Sequence, residues 1–558
     1  MCVALSLGAI VSRPAVAQRV LGVGDDAPGV PRGVVRLSAQ ATWSAYNELY
    51  GPGGKLEALG APLSSDSLGA RQLEILRPLQ TSLRTLAQLP SADVSLGPMR
   101  TDFTARIARS ALVVDFGLTS RIMLTATVPY VHTYSEAVMD VNPRNELTNR
   151  PNIGINPALS TQTTAAAQNR RVVDSVTRVV QEVTARLAAC SAASTDPVCT
   201  DQPKVVTLLN DAKAFAAGIA STYGTGADAS RGAAFVPLSK STLQNAIAAR
   251  VAALNASFKT YIPTLAAWDT PAAALVPISA SQAGTLLTDA LGIAPIGLVE
   301  RSHIGDIEVG TKLLLIDTFG GFARSRAPAG GVRFRLAIGG LARLGTGQAE
   351  RPDDILDIGT GDGQTDVEGS GAADIAVGRR FWASFIARRG VQLADEKDFR
   401  IPDIARNPFQ AAYREQTVSR DLGDYIELDA TPRFVYNDYL SASLQWSYRR
   451  KAQDQYTGTF TTENTEGTPV TLDAGILGVG TQQSEQRVGG GASFSTLRAY
   501  DRGRARIPIE IQLLHWQTVS GSGYAPKQFS TQLQLRYYTR LFGAPLRPRR
   551  PPVPARDD

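Results

Sequence analysis

FSTQLQLRYYTRLF, from Phe529 to Phe542, alternates residue by residue between two characters. Phe529, Thr531, Leu533, Leu535, Tyr537, Thr539 and Leu541 fall on one side of an extended chain. Ser530, Gln532, Gln534, Arg536, Tyr538 and Arg540 fall on the other, because successive side chains of a strand point to opposite faces. One face is apolar with an aromatic near each end, and the other is wet and charged. A membrane-spanning β-barrel needs that division: apolar towards lipid, polar towards a lumen, aromatics at the interfaces.

The pattern recurs upstream. Gly33–Ser44 sets Val35, Leu37, Ala39, Ala41 and Trp43 against Arg36, Ser38, Gln40 and Thr42. Phe103–Leu118 and Ile122–Tyr134 read as a hairpin about the turn Thr119-Ser120-Arg121. Strands resume at Gly305 and continue through Gly331–Leu344, Ala372–Val377, Phe381–Leu393, Asp424–Tyr436, Tyr439–Arg450, Val488–Tyr500 and Arg506–Thr518. The total is about 12 antiparallel strands, an even number as single-chain barrels use. Connections alternate short and long. With both chain ends in the periplasm, the long ones lie outside the cell.

Two segments break the rule. Ser64–Leu89 places Leu73, Leu76, Leu79, Leu83 and Leu86 at helical spacing, with Pro78 expected to kink or split the helix. From 158 to 291 the chain turns rich in Ala, Thr, Val and Gln. Val172, Val176, Val179 and Val183, and later Leu243, Ile247, Val251 and Leu254, form amphipathic helical stripes. The expected fold is an all-β transmembrane barrel with a helical extracellular insertion. Residues 33–157 hold strands 1–3 with a helical first outer loop at 64–89, 158–291 the insertion in the second outer loop, and 304–542 strands 4–12. The two helical segments are expected to cover each other's stripes as a cap over the outer mouth.

The 558 residues are 43% hydrophobic, yet no apolar run approaches the ~20 residues of a membrane helix. The net charge is +6. Part of it sits in a Pro/Arg-rich tail, 543–558, expected to be periplasmic. No basic helix or interleaved aromatic accompanies it, so nucleic acid is not an expected partner. Val3–Val11 followed by Ala15-Val16-Ala17 reads as a signal peptide over 1–17, without the usual basic start and with Cys2 inside the removed leader. Cys190 and Cys199, in CSAASTDPVC, are then expected to pair in an exported chain.

DFGLTSRIMLTATVPYV (Asp115–Val131), IGDIEVGTKLLL (Ile304–Leu315) and the loop from Arg343 to Gly378 resemble outer-membrane barrels of the MetA-pathway phenol-degradation family. More distantly they resemble FadL-type transporters of hydrophobic compounds. The resemblance covers about half of the chain, mainly strands, and leaves 158–291 outside it. It implies uptake of hydrophobic or aromatic compounds.

Residues with chemistry to offer are sparse. His132, His303 and His515 have no metal-ligand partner at helical or hairpin spacing, and no G-x-S-x-G is present. Asp357, Asp362 and Asp366 lie in a Gly-rich loop with clustered carboxylates, a loose pattern for Ca²⁺; the plain alternative is a solvated acidic loop. Arg36, Asp306, Glu308, Lys312, Arg333, Arg335, Glu427, Asp429, Glu510, Arg536 and Arg540 should face the lumen. They form either a conduit selecting by charge or ion pairs filling a narrow barrel. No catalytic residue and no cofactor is expected. The leading function is passive uptake of small solutes, the alternatives a barrel that displays its helical insertion at the surface, or an outer-membrane hydrolase. Expected partners are outer-membrane lipid and lipopolysaccharide, a small-molecule solute, and the outer-membrane assembly machinery.

Overall fold

In a computed structural model of the chain, residues 27, 29–143, 150–160, 164–226, 231–319, 331–378 and 380–541 are described. The leader at 1–17 and the tail at 543–558 lie outside them. The chain divides into two compact units: Met1–Pro62 with Thr101–Val138 and Leu291–Asp558, and Leu63–Arg100 with Met139–Ala290.

The first unit is the barrel. Its strands are β1 Val34–Tyr46, β2 Met99–Gly117, β3 Ile122–Val141, β4 Ile307–Asp317, β5 Val332–Leu344, β6 Asp366–Val377, β7 Phe381–Gln392, β8 Tyr425–Val435, β9 Leu440–Lys451, β10 Gln483–Ser495, β11 Ile509–Ser522 and β12 Phe529–Arg540. Each pairs antiparallel with its neighbours in sequence, β3 closes on β2, and β1 lies between β2 and β12. The result is a closed 12-strand ring with no free edge. The short strand Leu298–Ile304 extends the ring beside β3.

Alternation is kept all round. On β12, Ser530, Gln532, Gln534, Arg536 and Tyr538 are buried while Phe529, Leu533, Leu535 and Tyr537 are exposed. Leu37 and Trp43 on β1, Leu112 on β2, Leu124 and Val128 on β3, Leu444 on β9 and Leu513 on β11 continue the exposed belt. Phe381, Phe434, Tyr439 and Phe494 gather at the end where β1 begins and β12 finishes, the terminal end, in contacting pairs with ring centroids 5.2 and 6.0 Å apart. A 12-residue strand at ~3.4 Å per residue, tilted ~40°, rises ~30 Å and spans a bilayer's apolar layer. Such a belt is tolerated in lipid and not in water. Closed single-chain antiparallel barrels of this kind are outer-membrane structures, so the chain sits in an outer membrane.

At the other end of the barrel, the loop end, the connections carry their own structure. Asp395–Arg400, Glu415–Asp421 and Gln455–Thr457 make a three-stranded sheet. It packs Phe399, Ile401, Val418 and Tyr456 with Leu472 and Leu477 into a small core.

The second unit is helical: α1 Arg77–Ala87, α2 Thr164–Ala188, α3 Gln202–Tyr223, α4 Thr242–Lys259 and α5 Ala280–Leu291. The leucine stripe of 73–86 and the valine stripe of α2 are buried, and α1 packs on α3 and α4. The first helix is shorter than its periodicity suggests. Pro78 sits in its opening turn, where the missing N–H costs nothing, so proline starts the helix and does not kink it. Cys190 and Cys199 form a disulfide between α2 and the turn before α3. Arg186 bonds Asp196 at 2.6 Å beside it, and Asp196 also caps the backbone of Val198.

Candidate solute site

At the loop end the barrel unit encloses a cavity of about 240 Å³. Phe103 and Ile107 reach it from the inward face of β2, and Ile355, Leu356 and Ile358 from the loop before β6. Phe399, Leu477 and Tyr524 close it from the other side. The small loop core behind Phe399 and Leu477 fixes that wall. A cavity of ~150 Å³ lined by Leu, Ile and Phe takes a benzene ring, so this one has room for a molecule of single-ring size. Its polar groups are mostly committed. Glu350 pairs with Lys397 at 2.9 Å, Lys451 with Asp454 at 2.6 Å, and Asp357 with Arg301 at 2.7 Å. Arg406 stacks over the Tyr524 ring, and both residues hold left-handed backbone, φ +73° and +69°. That conformation is costly for side chains of this size and is kept only where neighbours enforce it.

Below the cavity the lumen is charged and paired. Arg388 on β7 meets Glu427 at 2.9 Å and Asp429, both on β8, with Glu368 of β6 at 3.9 Å. Arg343 on β5 meets Asp366 at 2.7 Å and Glu308 at 3.4 Å. Arg36 bonds Asp115 at 2.6 Å, Arg335 bonds Asp317 at 2.9 Å, and Arg536 sits 3.6 Å from Glu510. Pairing of this kind is what allows charge to be buried at all.

Of the residues expected on the lumen face, Arg36, Glu308, Arg335, Glu427, Asp429 and Arg536 are buried there in ion pairs. Glu510 is half-buried, accepting from Tyr538 as well as facing Arg536. Lys312 lines a second cavity of about 140 Å³ with Arg36, Asp115 and Glu308. Arg333 is half-buried at the terminal end, its guanidinium bonded to the carbonyl of Thr318, and Arg540 is exposed at the end of β12. Asp306 is off the strand: its carboxylate accepts from the Gly347 and Asp362 amides at 2.8 and 3.2 Å. Burial, then the neighbouring Asp362, pushes its carboxyl up to about 7, and burial raises Asp362 too. Asp357 and Asp366 are committed to arginines, and among the described residues no three carboxylates, histidines or cysteines are placed to hold a metal ion.

Arg343, Arg388, Asp366, Glu368, Asp115 and Arg109 belong to this wall and were not in the expected set. The signal was present in the parity of β2 and β5, for Arg109, Asp115 and Arg343. His132 bonds Ser302 at 2.6 Å at the loop end, but among the described residues no carboxylate meets its other ring nitrogen, so no triad is assembled there.

The inward column of β12 links the two cavities. Gln528 lines the upper one, Gln534 and Arg536 the lower. Between them Ser530 and Gln532 line neither and are 1% and 0% exposed. Ser530 bonds Ser44 at 2.9 Å and Gln528 at 2.6 Å. Both amide atoms of Gln532 and of Gln445, Nε1 of Trp516 and the hydroxyl of Thr42 are buried without a hydrogen-bond partner among the described residues. Each such group costs about 1–3 kcal/mol, and proteins keep few of them.

No protein-family model matches the chain, and no curated protein does. Among solved structures the chain is similar to an outer-membrane channel of Pseudomonas putida F1 at 9% identity and TM-score 0.40, over 93% of this chain and 100% of that one. It is similar to the Pseudomonas putida toluene transporter TodX at 10% identity and TM-score 0.24, over 96% and 100%. The monoaromatic hydrocarbon channel CymD aligns at 8% identity and TM-score 0.24, over 91% and 89%.

Proposed function

We propose that the chain is an outer-membrane channel for passive uptake of small, largely apolar solutes of single-ring size. The observation that carries this reading is the apolar cavity at the loop end, seated on a closed barrel and followed inward by a second cavity. Capture uses burial of apolar surface, at about 25 cal/mol per Å², and needs no cofactor and no bond chemistry. Ion pairs set along the lumen wall hold the conduit's shape.

A diderm host lacking channels for aromatic solutes, with and without the chain, provides the test, because intact lipopolysaccharide slows apolar molecules. Initial uptake of radiolabelled toluene should rise at least fivefold with the chain. It should return towards background in Ile107→Asp, whose barrel still shifts on a detergent gel when heated. Equal uptake with and without the chain ends the reading. The heavily paired lumen favours one competitor, a barrel that only anchors its helical unit; that competitor requires the same null uptake.

A further inference from the structure

Register places the unpartnered groups together. Gln445 on β9 is opposite Gly489, Gly489 opposite Trp516, Trp516 opposite Ser530, and Ser530 opposite Ser44. One step along the barrel, Gln532 lies between Leu514 and Thr42, and Arg109 follows Thr42 on β2. Gly489 has no side chain because Trp516 occupies its place: a Cβ there would lie 2.5 Å from the Trp516 Cβ. Trp516 is 3% exposed and packs with Leu514, and its indole N–H is buried. These positions carry amides, hydroxyls and an indole, with the Arg109 guanidinium beside them lining the lower cavity, while Gln445, Trp516, Gln532 and Thr42 line neither cavity.

We propose that this throat is a hydrogen-bonding subsite for the permeating solute, one that takes an uncharged polar substituent on an apolar body. Gln445, Gln532, Trp516 and Thr42 offer both donors and acceptors and carry no formal charge themselves, so they recompense a hydroxyl or carboxamide. Among the described residues their own groups have no partner. A solute entering from the apolar cavity brings partners for them. A plain hydrocarbon passes without that gain. The channel then discriminates by the substituent, as sites with buried polar groups do. This rests on the uptake reading, and its failure is separable from that reading's failure.

Uptake of toluene and of benzyl alcohol is measured side by side for the parent, Gln532→Leu, Gln445→Leu and Trp516→Phe, each checked for heat-shifted gel mobility. Benzyl alcohol uptake should fall at least fivefold in the two leucine variants while toluene changes less than twofold. Equal loss of both solutes means a merely structural role and overturns the proposal, as does no loss of either. A second measurement does not depend on transport. In the Cys2→Ser background, the thiol of Gln532→Cys should react with methyl methanethiosulfonate, and benzyl alcohol should slow that reaction while toluene does not. A thiol that never reacts, or one that both solutes protect equally, overturns the subsite even where uptake stands. A parent that takes up neither solute sinks the uptake reading alone.

Discussion

Replacing Arg388 by methionine should be the most damaging single change in the barrel wall. The guanidinium side chain is 1% exposed and faces Glu427 and Asp429 on one adjoining strand and Glu368 on the other. Methionine keeps the volume and removes the cation, leaving buried carboxylates of like charge close together. Breaking one buried pair by deleting a partner costs about 3–5 kcal/mol. Two short contacts and a third at 3.9 Å place this case at the upper end, near ~5 kcal/mol. Arg388→Lys keeps the charge but loses the fork that bridges two strands, so about 1–2 kcal/mol is expected. The combination Arg388→Met, Glu427→Gln, Asp429→Asn should recover most of the loss, since the neutral trio no longer needs the cation. Urea unfolding of detergent-refolded protein, followed by heat-shifted gel mobility and tryptophan fluorescence, measures each difference. A single Arg388→Met variant within ~1 kcal/mol of the parent refutes the view that these carboxylates depend on Arg388.

Burial and the neighbouring Asp362 push the Asp306 carboxyl up to about 7, above its ordinary 3.8, so the folded state binds the proton first and stability should rise as pH falls through that window. Asp306→Asn should flatten this rise, worth roughly 3 kcal/mol between pH 8 and pH 4, in the same unfolding assay; an unchanged slope refutes it. Free-thiol titration of the native exported protein should be blank at Cys190 and Cys199, and Cys190→Ser should destabilise the helical unit by about 2.5 kcal/mol for a nine-residue separation, read as a lower thermal midpoint of helical circular dichroism. Leu533→Arg, on the exposed face of β12, should cost about 2–4 kcal/mol in lipid-vesicle refolding. An arginine tolerated there would mean that this face does not meet lipid.

The ring of strands was legible because alternation is a local property with an unambiguous period. Tyr425 to Ala430 of β8 and the twelve residues of β12 could be assigned to inside and outside from their letters alone. What failed was wherever letters repeat on both faces. β6 opens DVEGSG, and its glycines hide the parity that places Asp366 and Glu368 inside. β7 carries Arg388 and Arg389 in tandem, and only pairing with Glu427 shows which one enters the lumen. On β11 the run LLHW puts Leu514 and Trp516 inward, because Gly491 and Gly489 opposite leave room that no reading of β11 by itself reveals. The loop sheet was missed for another reason. DEKDFR has no lipid to face, so its strand lacks an apolar side until Phe399 meets Val418 and Tyr456 from distant loops.

The pairing of β1 with β12 also sets an order of events. The two partners, Thr42 and Gln532 among them, stand at opposite ends of the described chain, with the whole helical unit between them. No ring exists until the last strand has arrived. Before then the sheet has two raw edges whose backbone groups find no partner in hydrocarbon. A half-built barrel is thus unfit for lipid however many strands it already holds, and the edges of β1 and β12 must be kept wet or covered by another surface until they meet. The strand that reveals the fold to a reader is also the one the molecule has to wait for.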